Sequence, residues 1–168
     1  MNRCCLILIH FFLIILFPMA GSATESLITF DECSIGTKPY MEYYWYDCPA
    51  MKAKNVWLAP PDKVIKENDN PKNQVLDSGG ELRVEFRKGL NYYSVRKFSI
   101  LLKDLPAHGT VRYTYRNSKF QFPSPGFYVS GPGDKTITLT GDIVEVVIDN
   151  TYIGDPWYGV VDDMRFDD

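Results

Sequence analysis

Asp162 is the acidic residue whose neighbours in the sequence most clearly suggest chemistry. By strand parity it would share one face with Val160, Met164 and Phe166, while Asp163 would point to the opposite face. An isolated charge on an apolar face costs several kcal/mol, so Asp162 should meet backbone donors, a basic side chain or a bound cation. Outside the cell that cation would be calcium, which binds carboxylate and carbonyl oxygens.

Aromatic pairs in two loops are a second candidate, because carbohydrate recognition uses flat rings at the surface. Rings in such positions would present large rigid contact areas to a ligand. With 14% aromatic residues, however, many rings of this chain must fill the core or cap its ends. The sequence leaves both roles open for the four rings concerned, which are Tyr92, Tyr93, Trp157 and Tyr158.

Few residues could support catalysis. His108 is the only histidine after residue 23, and it lies in a Pro-Ala-His-Gly turn. No nucleophile elbow, His-Glu-x-x-His zinc motif or phosphate loop occurs. Two pairs of acids share a strand face, namely Glu81 with Glu85 and Glu145 with Asp149. Strand geometry separates each pair by about 13 Å, whereas glycoside hydrolysis uses roughly 5 to 9.5 Å. Neighbouring strands could still bring acids together, but the sequence favours a protein that is not an enzyme.

The first 23 residues have the three parts of a secretory signal peptide. Arg3 gives a positive start, residues 6 to 17 are apolar, and small residues lead to a cleavage site that we place after Ala23. The alternative is a membrane anchor, which needs about 20 apolar residues, and Pro18 ends the apolar run before that length. The sequence therefore predicts a secreted, extracellular protein without a membrane span.

The cysteines point to the same compartment. Cys4 and Cys5 would be removed with the leader, which leaves Cys33 and Cys48 as an even pair where disulfides persist. The competing interpretations are a metal site and a reactive thiol. His108 is the only histidine after residue 23, so the two cysteines cannot supply the usual four zinc ligands without carboxylates, and nothing in the sequence places carboxylates nearby. The sequence therefore predicts a disulfide between Cys33 and Cys48.

Length and charge limit the classes of protein that remain. Removal of residues 1 to 23 from the 168 leaves residues 24–168, a chain of 145 that fits one domain. That chain carries 17 basic and 21 acidic residues, so its net charge is −4. Without clusters of Lys and Arg it lacks the electrostatic pattern that binds nucleic acid.

Apolar residues recur with a period of two along most of the chain, which predicts strands. Turn residues separate the strand segments at regular intervals. This spacing predicts an all-β, antiparallel sandwich or barrel of roughly 8 to 10 strands in a single domain. The clearest segments contain Leu82, Val84 and Phe86, then Phe98, Ile100 and Leu102, then Val144, Val146 and Ile148.

Both ends of the chain resemble a family of secreted domains, the galactose-binding-like jelly rolls, which include carbohydrate-binding modules and MAM-type adhesion domains. The resemblance covers most of residues 27 to 166 and uses an opening Phe30-Asp31, a Pro39-Tyr40 pair, the alternating strands and the closing Val161 to Phe166. It implies that the first and last strands are adjacent and that a structural Ca²⁺ lies near them. By position, the candidate ligands are Asp31, Glu32 and Asp162.

These observations together favour an extracellular recognition module that is carbohydrate-binding or adhesive, with a glycan or a protein as its partner. A structural or matrix-associated secreted protein is the alternative, and a small glycoside hydrolase is a further one. The sequence does not predict the oligomeric state or the identity of the ligand.

Overall fold

The computed structural model describes residues 24–33, 48–59, 63–66, 74–77, 81–155, 157 and 159–167. These residues form twelve strands and one short helix. The elements are β1 Glu25–Ile28, α1 Pro49–Lys54, β2 Val56–Ala59, β3 Lys63–Lys66, β4 Gln74–Asp77, β5 Leu82–Lys88, β6 Asn91–Tyr92, β7 Val95–Leu105, β8 Thr110–Arg116, β9 Phe127–Ser130, β10 Gly133–Ile143, β11 Glu145–Ile153 and β12 Val160–Asp167.

The strands form two antiparallel sheets that pack against each other. The first sheet has the order β10-β7-β12-β4-β3, with β1 also paired to β12, and the second has the order β2-β5-β11-β8-β9, with β6 also paired to β5. Phe86 of β5 meets Phe166 of β12 and Phe98 of β7 between the sheets, at ring-centroid distances of 5.1 and 5.9 Å. The predicted antiparallel sandwich is confirmed, and the strands beyond the expected number include the two-residue β6.

The alternating apolar residues form the core, as their period requires. In β5 the burial alternates with every residue, because successive side chains of a strand point to opposite faces. Apolar residues from both sheets belong to one continuous buried cluster. The predicted inward positions that are buried include Leu82, Val84, Phe86, Phe98, Ile100, Leu102, Val144, Val146 and Ile148.

The two ends of the domain lie side by side, as predicted. β1 pairs antiparallel with β12, and Ile28 lies opposite Met164. Cys33, which follows β1, forms a disulfide with Cys48 at the start of α1. Pro49 occupies the first turn of this helix, where its missing N–H leaves no hydrogen bond unmade. The disulfide thus joins the segment after the first strand to the only helix among the described residues.

A bulge interrupts the last strand. The register of β12 against β7 shifts between Asp162 and Arg165, and Asp163 has a φ of 42°. A bulge of this kind adds a residue to one strand and reverses the parity of its side chains beyond that point. Strand parity therefore cannot be carried across these residues.

The bulge corrects the predicted faces of β12. Val161 is buried together with Met164 and Phe166, whereas Val160 is only partly buried. The prediction that Asp162 shares a face with Val160, Met164 and Phe166 is wrong, because the last two lie beyond the bulge. Asp162 is nevertheless partly buried.

Candidate functional site

Asp31 and Asp162, two of the three residues predicted to bind calcium, lie close enough to interact electrostatically. The carboxylate Oδ1 of Asp31 accepts a hydrogen bond of 2.8 Å from the backbone nitrogen of Gln74, and its carbonyl accepts one of 2.6 Å from Gln74 Nε2. Glu32, the third predicted ligand, is exposed and lines a small cavity beside Cys33. Gln74, the first residue of β4, thus holds Asp31 through two hydrogen bonds, and Asp31 lies within electrostatic range of Asp162.

Burial raises the pKa of Asp162 to about 6. The negative charges of Asp163 and Asp31 raise the pKa further, while a hydrogen bond from the backbone nitrogen of Asp163 to Asp162 Oδ1, at 2.8 Å, lowers it. At neutral pH the carboxylate is thus ionised in surroundings that disfavour its charge. A cation at this position would relieve both the desolvation and the repulsion.

Gln74 supplies a further oxygen to this region. The residue is 5% exposed, and its Oε1 has no hydrogen-bond partner among the described residues. Buried carbonyl oxygens without a partner are uncommon in folded proteins. Within the described part of the chain, no group of three or more His, Cys, Asp and Glu side chains is placed to hold a metal ion. A calcium ion here would therefore need carbonyl oxygens such as Gln74 Oε1 in addition to the two carboxylates.

Two of the four predicted ligand-binding rings have structural contacts. Trp157 is 3% exposed, and its Nε1 donates a hydrogen bond of 2.7 Å to the carbonyl of Lys103. The hydroxyl of Tyr93 donates to the carbonyl of Lys54 at 2.6 Å, and its ring packs edge-on against Phe86. Of the two roles that the sequence left open, Trp157 therefore has the core role, and the partly buried ring of Tyr93 packs against the core.

Tyr92 lies at the surface. Its ring meets the ring of Phe120 edge-on at 4.9 Å, and its hydroxyl lies 3.4 Å from Glu85 Oε2. Phe120 belongs to the connection between β8 and β9, so Tyr92 contacts this connection. Tyr158 falls outside the described residues.

A cleft of about 380 Å³ lies on the outer face of the second sheet, at a place where the sequence predicted no site. Outward-facing residues of β5, β11 and β8 form its floor, and the β8–β9 connection, residues 117–126, contributes Phe122, Ser124 and Pro125. Its volume is typical of pockets for small ligands. Six charged side chains line it, namely Glu81, Arg83, Arg112, Arg116, Glu145 and Asp149.

Strand pairing explains why acids and arginines alternate across this floor. Directly opposite residues on neighbouring strands have Cβ atoms about 4.5 to 5.5 Å apart and project from the same face. The central strand β11 provides an acid at each end of the cleft and Val147 between them. The cross-strand sets are Glu145 with Glu85 and Arg116, Val147 with Arg83 and Thr114, and Asp149 with Arg112.

Arg116 and Glu145 form an ion pair at one end of the floor, in which Glu145 is buried and Arg116 is partly exposed. Arg116 Nη1 lies 3.3 Å from Glu145 Oε2, and Glu145 is only 3% exposed. Burial raises the pKa of Glu145, while the charge of Arg116 lowers it. Glu145 Oε1 and Arg116 Nε are buried without a partner among the described residues. The ring of Phe122 lies over the guanidinium, 4.8 Å from its carbon to the ring centroid. The pair thus retains one unmet acceptor and one unmet donor.

Arg112 fixes the wall of the cleft. Its Nε and Nη2 donate hydrogen bonds of 3.2 and 2.6 Å to the carbonyl of Pro125. Gly126 has a φ of 130°, and a Cβ there would lie 2.7 Å from Arg112 Nε, so a larger residue would displace this side chain. At the other end of the connection, the backbone groups of Asn117 and Gln121 are hydrogen-bonded at 3.0 Å. Beside it, the backbone nitrogen of Ser118 donates to Asp142 Oδ2 of β10 at 3.1 Å, so the wall is anchored at both of its ends.

The sheet also brings together two acids that are far apart in sequence. Glu85 lies opposite Glu145, and its charge helps raise the pKa of Glu145. However, the Glu85 side chain is 16% exposed and lies 3.2 Å from the Nε of Arg87, which packs over the ring of Trp57. Within the cleft itself, Asp149 lies four residues along β11 from Glu145, a spacing of about 13 Å. The spacing of Glu145 and Asp149 does not match the carboxylate pair of glycoside hydrolases.

The arginines of the cleft were visible in the sequence but had no assigned role. Arg112, Thr114 and Arg116 alternate with apolar residues of β8, which indicates an outward-facing polar row. Nothing in that pattern identifies β11 as the neighbouring strand. Hence the row could be found from the sequence, but the cleft could not.

The chain matches no protein-family model, and no curated protein is significantly similar to it in sequence. Among the described residues, no helix has the length and apolar character that crossing a membrane requires.

Proposed function

We propose that this protein is a secreted, non-enzymatic recognition module that binds a carbohydrate in the cleft on the second sheet. The observation that carries the proposal is the lining of that cleft, where three arginines and three acids surround a half-exposed phenylalanine ring. Guanidinium and carboxylate groups donate to and accept from sugar hydroxyls. An aromatic ring contacts the apolar face of a sugar ring. The cleft combines both kinds of contact within about 380 Å³.

The fold is compatible with this proposal. An antiparallel sandwich with adjacent terminal strands is what the resemblance to galactose-binding-like jelly rolls implies, and carbohydrate-binding modules are part of that group. Tyr92 would extend the binding surface, because its ring contacts the same connection that forms the cleft wall. The following experiment distinguishes carbohydrate binding from three alternatives. These are an adhesive protein that binds a protein partner, a matrix-associated protein and a glycoside hydrolase.

Filling the cleft should abolish glycan binding without unfolding the domain. Val147 lies at the centre of the floor and faces outward, so Val147→Phe places a ring in the space that a ligand would occupy. On a glycan array, we expect the purified protein to bind at least one glycan and Val147→Phe to bind it at least tenfold more weakly. Thr138→Phe is the matched control, because Thr138 is an exposed strand residue on the other sheet.

Three results would contradict the proposal. One is an array on which the correctly folded protein binds no glycan. Another is binding that Val147→Phe leaves unchanged, which would place the ligand elsewhere. The third is release of reducing sugar from a bound glycan, which would make the protein a hydrolase.

Secretion is a second part of the proposal. The disulfide between Cys33 and Cys48 suits an oxidising compartment, and residues 1 to 23 have the composition of a signal peptide. When the full chain is expressed in secreting cells, the protein in the medium should begin near Thr24. Its intact mass should be two hydrogen atoms below that of the reduced chain. A product that retains Met1 to Ala23, or one with two free thiols, would contradict the corresponding half of the expectation.

We also propose that Asp31 and Asp162 bind a structural calcium ion together with Gln74 Oε1. The proposal is supported by the charge repulsion between the two carboxylates and by the buried carbonyl oxygen without a partner. Calcium takes 6 to 8 oxygens, so backbone carbonyls and water would complete the coordination. The ion would stabilise the junction of the terminal strands and would not take part in ligand binding. The test of this site is described with the Asp162 variant in the Discussion.

A further inference from the structure

We infer that the cleft selects neutral sugars, through two hydroxyl groups that engage the carboxylate of Glu145 and the guanidinium of Arg116. The inference rests on the proposed function, because it assumes that the cleft binds a glycan and names the class of glycan. It concerns the ion pair of Arg116 and Glu145, whose two unpartnered atoms the carbohydrate proposal did not use.

The ion pair has one unmet acceptor and one unmet donor. Glu145 Oε2 is paired with Arg116 Nη1, which leaves Glu145 Oε1 and Arg116 Nε buried without partners among the described residues. Because both atoms are buried, a ligand that supplies the missing hydrogen bonds gains affinity with little further desolvation cost at these groups. The matching ligand must donate one hydrogen bond and accept another. Neighbouring hydroxyl groups of a sugar do both.

The charges of the cleft disfavour an anionic ligand. Its three arginines are balanced by three acids, and Glu81 lies 2.7 Å from the guanidinium of Arg83. Arg112 is bound to the carbonyl of Pro125. An added carboxylate or sulfate near Arg116 would lie beside the buried carboxylate of Glu145, where the low dielectric strengthens repulsion. A neutral polyhydroxyl ligand avoids this repulsion and still satisfies both unmet groups.

One side chain lies over Arg116. The ring of Phe122 stacks on the guanidinium and is 49% exposed, within the β8–β9 connection and outside any strand. We expect this ring to move when a hydroxyl binds at the Nε of Arg116, and to contact the bound sugar in its new position.

The inference is tested with two pairs of soluble glycans that differ in charge. Galactan and dextran are the neutral probes, and polygalacturonate and dextran sulfate are the anionic ones. We expect the full chain after secretion to bind at least one neutral probe and to bind its anionic counterpart at least tenfold more weakly. The neutral probe should bind more tightly than its anionic counterpart at both low and high salt, because the repulsion comes from the buried carboxylate of Glu145.

Two variants connect this selectivity to the ion pair. Glu145→Gln keeps the shape of the side chain but removes its charge, and we expect binding of the neutral probe to fall at least tenfold. Glu25→Gln is the matched control, because Glu25 lies in an exposed ion pair with Arg165 on the other sheet, and it should change binding less than threefold. If Glu145→Gln fails to fold, Arg116→Lys tests the role of the ion pair instead, since it keeps the positive charge and removes the Nε donor. We expect the same tenfold loss from it.

The outcomes separate the inference from the proposed function. Binding of anionic probes in preference to neutral ones, in a manner that Val147→Phe abolishes, would overturn the inference and leave the carbohydrate proposal intact. Unchanged binding in both Glu145→Gln and Arg116→Lys would likewise overturn the inference. Failure to bind any glycan would overturn the proposed function itself.

Discussion

Replacing Phe86 with alanine should lower the free energy of unfolding by about 3 to 5 kcal/mol. The ring of Phe86 is fully buried, and it contacts Phe98 and Phe166 of the opposite sheet as well as Tyr93. Its removal leaves a cavity between the two sheets, which the surrounding side chains can fill only in part. Since a domain of this size is stable by about 5 to 15 kcal/mol, the change should remove a substantial part of the free energy of unfolding.

Urea denaturation of the variant and the parent protein measures this effect. Phe127→Ala is the matched control, because Phe127 is 40% exposed and stacks on Tyr113 at the edge strand β9. That change should cost less than about 1 kcal/mol. Equal costs at the two positions would contradict a core built around Phe86 and, with it, the packing of the two sheets.

Replacing Asp162 with asparagine should stabilise the calcium-free protein at pH 7 by about 1 to 2 kcal/mol. Burial and the charges of Asp163 and Asp31 raise the pKa of Asp162 from 3.8 to about 6, so the ionised form is penalised in the folded state. The full shift would correspond to about 3 kcal/mol at 1.36 kcal/mol per pKa unit, and partial solvent exposure reduces that figure. Asparagine keeps the oxygen that accepts the Asp163 N–H but carries no charge.

The effect should depend on pH in a defined direction. Between pH 3.8 and about 6, the folded state of the parent protein binds more protons at Asp162 than the unfolded state does. Its stability therefore falls as the pH rises through this window, and the penalty is complete above it. The difference between Asp162→Asn and the parent should accordingly be small at pH 4 and largest at pH 7, as thermal melts in a chelating buffer would show.

Calcium should reverse the ranking of the two proteins. If the ion binds only the folded state, the parent gains about 2.7 kcal/mol when calcium exceeds its dissociation constant a hundredfold. Asp162→Asn should lose most of that gain. Asp163→Asn serves as the control, because Asp163 is 41% exposed and lies near Arg165. A melting temperature that calcium does not change would contradict the calcium site but would leave the pH effect in place.

Much of the fold could be predicted because the alternation of apolar and polar residues within a single strand already indicates a half-buried strand. Leu82, Val84 and Phe86 alternate with charged residues, and a half-buried strand is the arrangement that places such a pattern in both solvent and core. The pairing of Cys33 with Cys48 followed from their compartment and their number. Each of these inferences needs only local spacing or the count of one residue type.

The candidate site could not be predicted in the same way, because it depends on which strands are neighbours. Arg116, Glu145 and Glu85 come from three strands that are distant in sequence, and only the register of the sheet places them in one row. The outward position of Arg116 is a local property of β8. Its ion pair with Glu145 is a property of the whole sheet, since strand order and register follow from the sum of long-range contacts.

Asp162 shows the same limit within a single strand. Its parity was clear from the sequence, but a bulge between Asp162 and Arg165 changes the faces of β12. Bulges arise where pairing to neighbouring strands requires a change of register, so spacing along one strand does not reveal them. Trp157 is a second example, because its place in the core depends on the carbonyl of Lys103 in another strand. Local periodicity therefore determined the class of fold and the faces of regular strands, whereas packing between distant segments decided the cleft, the ion pair and the surroundings of Asp162.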